Sequence, residues 1–194
     1  MYRFNTQFIL SQNTAFIHAA RAYLSDTLFT NPAMIIQHHG DSADRVGGDF
    51  EVQTGAGPIF IDYKLREFDP IERFRSDDIC VELVSAWRGN PNPPYPVAAV
   101  EESPGWTLDP TKRSDYILYA WSKSNGTFRV WLVDFKALRL EAMARWREWS
   151  RRYGVAAVRN RNYHTLCTFV PRYDIHAPAF PEATLNPFTE EVSQ

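Results

Sequence analysis

Three residues of one short stretch, Asp49, Asp62 and Lys64, carry side chains suited to seating and neutralising ions. They lie in "GGDFEVQTGAGPIFIDYKLREF", residues 47–68, where apolar and polar residues alternate on either side of a glycine-rich turn. In an extended chain residues i and i+2 share a face, so Asp62 and Lys64 stand side by side. Asp49, on the preceding strand, can face them across a distance of roughly 5 Å. Two carboxylates on one face of paired strands make a seat for a hard cation, and an ammonium at its rim offers charge to an anion. The plain alternative is a surface hairpin with a solvated ion pair, which is worth little in stability. A hairpin built only to bury its inner face needs no such pair.

Hydrophobic periodicity sets the scaffold around them. Val46, Gly48, Phe50 and Val52 point one way, and Asp49, Glu51 and Gln53 the other. After "TGAG", Ile59, Ile61, Tyr63 and Leu65 share one face, and Phe60, Asp62, Lys64 and Arg66 its opposite, which predicts a hairpin. Upstream, Phe16, Ala19, Ala20, Leu24 and Phe29 fall near helical spacing, with Ser11 or Asn13 as cap and Pro32 as stop. "MIIQHHGDSADRV" reads as a short apolar piece followed by a polar turn. "FDPIERFRSDD" reads as a charged connection, "ICVELVSAW" as a buried third strand carrying Glu82, and residues 88–106 as a long surface loop. "DYILYAWS" and "FRVWLVDF" flank an Asn-Gly turn signal and predict a second strand pair. From Lys136 the pattern is helical, with Leu138, Leu140, Ala142, Met143 and Trp146 near one face and Gly154 at the end. "HTLCTFV" is a last strand, ended by Pro171. The order predicts an α+β domain over residues 1–175, with a mixed central sheet flanked by helices, and an extended or frayed tail over 176–194.

Composition narrows the function. The 21 Lys and Arg against 23 Asp and Glu give a net charge of -2, which disfavours a protein that coats nucleic acid non-specifically but leaves room for a local basic face. Cys80 and Cys167 each sit in an apolar run and read as buried small hydrophobes in a reducing compartment; without a CxxC spacing, structural zinc has no support. There is no run of 18 consecutive apolar residues and no leader pattern, so no membrane span is expected and the chain reads as cytoplasmic.

Asp49 followed by Asp62-Tyr63-Lys64 resembles the signature of the PD-(D/E)XK phosphodiesterases, the restriction-endonuclease-like nucleases. "DRVGGDFEV", the glycine turn, the apolar-led "IFIDYKL" and a preceding helix resemble that family as well. The resemblance is best over residues 44–85 and extends more weakly into "SDYILYAWS" and the strand after it. It implies a restriction-endonuclease-like core and a Mg²⁺- or Mn²⁺-dependent nuclease acting on DNA. In it Asp49 and Asp62 bind the cation, and Lys64 orients or activates the attacking water. Divalent ions suit this chemistry because they polarise the scissile phosphate and acidify water. Duplex cutters of this type often act as dimers, so a homodimer is among the expected assemblies. The alternative is a non-catalytic nucleic-acid or protein-binding module on the same fold, possibly from a phage or mobile element. One departure is plain: many members carry a helix Glu aimed at the metal, whereas residues 8–29 hold no Glu, only Asp26, with the amides Gln7 and Gln12 nearby.

Further residues extend the expected site. An unpaired Glu82 would be costly inside an apolar strand, so it is either a fourth catalytic residue or an ion-pair partner of Arg66, Arg73 or another base. Arg145, Arg147, Arg151, Arg152, Arg159 and Arg161, with Glu148 opposing them, form a candidate DNA-backbone face. The alternative for them is a solvated helix surface. His38, His39, Asp41 and Asp44 suggest a second metal cluster, although adjacent histidines on an extended chain point apart.

Overall fold

Alternating side chains produce both hairpins foreseen in the sequence. The computed structural model describes residues 14–38, 48–89, 97–159 and 162–187. The elements run α1 (Thr14–Thr27), a 3-10 turn (Pro32–Met34), β1 (Ile35–Gln37), β2 (Phe50–Thr54), β3 (Gly57–Arg66), α2 (Pro70–Phe74), β4 (Asp78–Trp87), α3 (Val97–Glu102), β5 (Tyr116–Ser122), β6 (Phe128–Asp134), α4 (Phe135–Tyr153), β7 (Ala156–Arg159), β8 (His164–Pro171), a second 3-10 turn (Arg172–Asp174) and β9 (Ala183–Leu185). Gly57, at φ 122°, supplies the conformation that lets the β2–β3 turn close.

Two sheets result. The larger has the order β1-β2-β3-β5-β6-β9, and the smaller β4-β8-β7. Within the larger, β3 and β5 are parallel and every other pair is antiparallel, so the sheet is mixed. Its Ile61, Tyr63, Leu65, Leu118, Ala120, Val130 and Leu132 pack with Phe16, Ala20 and Leu24 of α1. Ile117, Tyr119, Trp121, Trp131 and Val133, alternating with these along β5 and β6, pack instead with β4, β8 and α4. The expected α+β class, with a mixed sheet and flanking helices, is what the chain adopts. Among the described residues no helix is long and apolar enough to cross a membrane.

Several expectations need correction. "ICVELVSAW" is a buried strand, but β4 pairs with β8 in the second sheet rather than joining the first. An apolar run satisfies either partner equally, so only tertiary packing decides. The charged connection contains α2, started by Pro70 at its first turn and by Asp69, whose Oδ1 accepts the Ile71 N–H at 3.0 Å. The surface loop contains α3, and at its end Gly105, Thr107 and Leu108 are buried. On α4 the buried residues are Phe135, Leu138, Ala142, Trp146 and Trp149, while Leu140 and Met143 are exposed. The 3-4-4-3 spacing of the buried set defines a stripe that leaves residue 143 on its flank and residue 140 on the opposite side of the helix. In the tail, β9 pairs with β6, and Ala179 bridges to Val133. The helix start at Ser11 or Asn13 lies outside the described residues.

A buried charge network ties these parts together. Arg129 of β6 makes two bonds to Asp69, at 2.7 and 2.9 Å, and also reaches Asp77 and Glu182, each at 2.9 Å. Its guanidinium lies 4.0 Å from the Trp121 ring centre. Arg172, at the end of β8, joins the same Asp77 and Glu182. One arginine thereby fixes α2, the approach to β4 and the tail against the large sheet. Removing one partner from such a buried set costs about 3–5 kcal/mol.

Candidate active site

Strand parity puts Asp62, Lys64 and Arg66 on one face of β3, away from α1. Asp49 lies one register step before the Phe50–Ile61 pair, opposite Asp62. Its Oδ2 accepts the Tyr63 N–H at 2.8 Å, extending the β2–β3 bonding past the last backbone pair. Lys64 Nζ sits 2.5 Å from Asp62 Oδ2. The expected trio is therefore assembled in direct contact, and Asp62 is only 6% exposed.

Burial pushes the Asp49 carboxyl up, with the Asp62 charge adding to it, to about 8. On Lys64, burial pulls downward, but the charges of Asp62, Asp49 and Glu82 outweigh it and hold the ammonium above the ordinary lysine range. A lysine so placed keeps its proton at neutral pH. Its charge can attract a phosphate oxygen or orient a water.

Glu82 enters from the second sheet. Its Oε1 accepts the Trp106 N–H at 3.0 Å and the Ser85 hydroxyl at 2.7 Å, while its own N–H donates to Thr107 Oγ1 at 3.1 Å. The β4 register shifts between Glu82 and Val84, a bulge of the kind that re-aims side chains. Gly105 permits this docking: a Cβ there would lie 2.4 Å from the Glu82 carbonyl oxygen, and the Gly105 N–H donates to Leu83 O at 2.7 Å. The Trp106 ring then covers Lys64, with Nζ 4.3 Å from its centre. A cavity of about 180 Å³ is lined by Lys64, Arg66, Cys80, Glu82, Trp106, Thr107, Ile117 and Tyr119. Glu82 thus shares the Lys64 cavity and acts on it by charge, without joining the Asp49–Asp62 contact.

The donor set fits a hard divalent cation. Asp62 Oδ2 is buried and makes no hydrogen bond of proper angle, its close contact being the Lys64 ion pair. Burial and the Asp62 charge push the Asp49 carboxyl beside it up to about 8, so a cation there would compete with a proton. Among the described residues no three His, Cys, Asp or Glu side chains gather as a ready metal cage. Mg²⁺ does not require one, since one or two carboxylates with waters and substrate oxygens suffice.

The helix departure has a structural counterpart. α1 packs on the Ile61–Tyr63–Leu65 face of the sheet, opposite to the face of Asp62 and Lys64, and its Asp26 is exposed. Gln7 and Gln12 lie outside the described residues, as do His39, Asp41 and Asp44. His38 Nε2 contacts Glu51 Oε2 at 2.7 Å. Cys80 forms part of the cavity wall rather than plain core; a hydrogen bond from the Cys167 thiol lowers its proton affinity.

The arginine face differs from its sequence picture. Arg145 is bonded to Glu141, Glu148 and Asp174, with Trp149 and Tyr153 also donating to Asp174. Arg152 is 54% exposed, with Nη1 3.8 Å from Asp174. Arg151 and Arg159 are exposed, and Arg161 lies outside the described residues. Arg66, Thr107 and Tyr119 are cavity residues that sequence reasoning did not assign, and of these only Arg66 had a signal, its i+2 spacing from Lys64. No family model, curated protein or solved structure matches this chain.

Proposed function

We propose that the chain is a metal-dependent nuclease hydrolysing phosphodiester bonds in DNA on a restriction-endonuclease-like core. The observation that carries this reading is the direct contact of Asp49, Asp62 and Lys64 beside a cavity walled by Glu82. Asp49 and Asp62 are the residues that would hold Mg²⁺ or Mn²⁺. When bound, the cation supplies polarisation of the phosphate and an acidified water. Lys64, kept as an ammonium by its acidic neighbours, offsets the charge that grows on the phosphate oxygens. Trp106 limits the water around that ammonium and so strengthens its pull. Glu82, fixed by the Trp106 N–H, faces Lys64 and keeps it oriented across the cavity.

The rival reading is a non-catalytic nucleic-acid or protein-binding module on the same fold. Incubating supercoiled, linear and single-stranded DNA with Mg²⁺ or Mn²⁺ separates the two. The nuclease reading predicts metal-dependent cleavage that falls at least about 100-fold in Lys64→Ala, in line with the loss of one charge-stabilising group. No cleavage of any substrate, or equal cleavage by the variant, favours the binding module.

A further inference from the structure

Beside the Lys64 cavity lies a second, larger one of about 380 Å³, which the proposed chemistry leaves unused. The two share Arg66, Cys80 and Tyr119 as walls, so they are compartments of one cleft. The larger is lined by aromatic rings: Tyr119 and Trp121 on β5, Phe68 and Phe74 around α2, and Phe169 on β8. Tyr119 and Trp121 are 2% and 3% exposed, whereas Phe74 and Phe169 are 61% and 37% exposed. The first pair forms a fixed back wall, with rings stacked 16° apart in plane. The second pair stands at the rim, where exposed rings cost solvation free energy unless something covers them.

We infer that this compartment receives one unpaired nucleobase of the strand whose phosphate sits at Lys64, making the substrate single-stranded DNA or DNA with a displaced base. The volume falls in the range of small-ligand sites, of order 300–1,000 Å³. Trp121 already has Arg129 over its ring and Tyr119 stacked beside it, so the stacking surface left for a base is that of the exposed rim rings Phe74 and Phe169. Polar groups at the wall match a base edge: Arg66 supplies donors, Asp78 supplies acceptors, and Ser76, which donates to Asp78, holds that carboxylate. Lys64 and Arg66 are two residues apart on β3, about 7 Å along the strand, so a phosphate at the first and a base at the second belong to neighbouring positions of one chain. A base still paired and stacked in a duplex has neither a free face nor a free edge to offer this lining, so it must be unpaired first.

The inference rests on the proposed function for what lies at Lys64, but its test does not need cleavage. In EDTA, fluorescence anisotropy compares a labelled 12-nucleotide single strand, the same sequence as a blunt duplex, and a free deoxynucleoside monophosphate as competitor. The wild type is expected to bind the single strand at least about tenfold more tightly than the duplex. Phe74→Ala and Phe169→Ala, both at exposed positions, should each weaken single-strand binding by about five- to tenfold and leave duplex binding within about twofold, the size of one lost base–aromatic stack. Thermal melts confirm that the variants fold. Equal affinity for the two DNA forms, or variants that bind the single strand as the wild type does, would overturn the inference. So would tight binding of the free nucleotide without a preference for single strands, which would make the pocket a mononucleotide site. Strand preference without any metal-dependent cleavage sustains the pocket and removes the nuclease; cleavage of duplex indifferent to both phenylalanines does the reverse.

Discussion

Asp49 gives up its usual acidity to sit half-buried against Asp62, and the fold is less stable for it whenever both are ionised. Because the folded chain holds the Asp49 proton to about 8 while the unfolded chain releases it near 3.8, folding takes up a proton between those values. The stability tied to that proton is full below the lower value and is lost as pH rises through the upper one. Asp49→Asn keeps an acceptor for the Tyr63 N–H and removes the charge. It is expected to raise the melting temperature of the metal-free protein at pH 9 by several degrees, more than about 1 kcal/mol, and to change it little at pH 4. Melting curves at the two pH values check this; a destabilised variant at pH 9 contradicts it. At this scale the sequence was readable where period-2 alternation governs, which is why Asp49, Asp62 and Lys64 meet as expected. Trp106 was not readable, since its place over Lys64 depends on a loop docking against β4 through Glu82.

The β2–β3 hairpin, the β5–β6 pair and α4 follow from local pattern, and their registers obey it. β1, β7 and β9 are strands of three or four residues, too short to display a period, and each forms only because a longer neighbour offers its edge. β4 displayed its burial but not its partner, since apolar alternation is blind to which sheet supplies the neighbour. The segment after α3 looked like solvent-exposed loop because of its prolines and glycines, yet Gly105 is there to let two backbones touch. Gly105→Ala must push that backbone off β4. The expected result is a loss of about 1–3 kcal/mol in urea unfolding, with a change in tryptophan fluorescence as Trp106 leaves Lys64. A variant that unfolds at the wild-type urea concentration with unchanged emission would show that this contact positions nothing.

Across the whole molecule, one sheet serves two purposes. One face, against α1, is apolar core; the other carries the acid–lysine cluster at the border with the second sheet. The Arg129 network locks that border from behind by linking α2, β4, β6 and the tail, so both cavities are walled by elements held to one another. Overall charge and length foretold a globular chain with a localised site; the two-sheet arrangement that creates the cleft had no local signature. Whether Asp49 and Asp62 form a cation seat is read directly from anomalous scattering in a crystal soaked in Mn²⁺ at low millimolar concentration. A peak at the Asp49 and Asp62 carboxylates beside Lys64, absent from an Asp62→Asn crystal, is the expected result. Lys64 Nζ still paired with Asp62 and no peak between the two acids would contradict it.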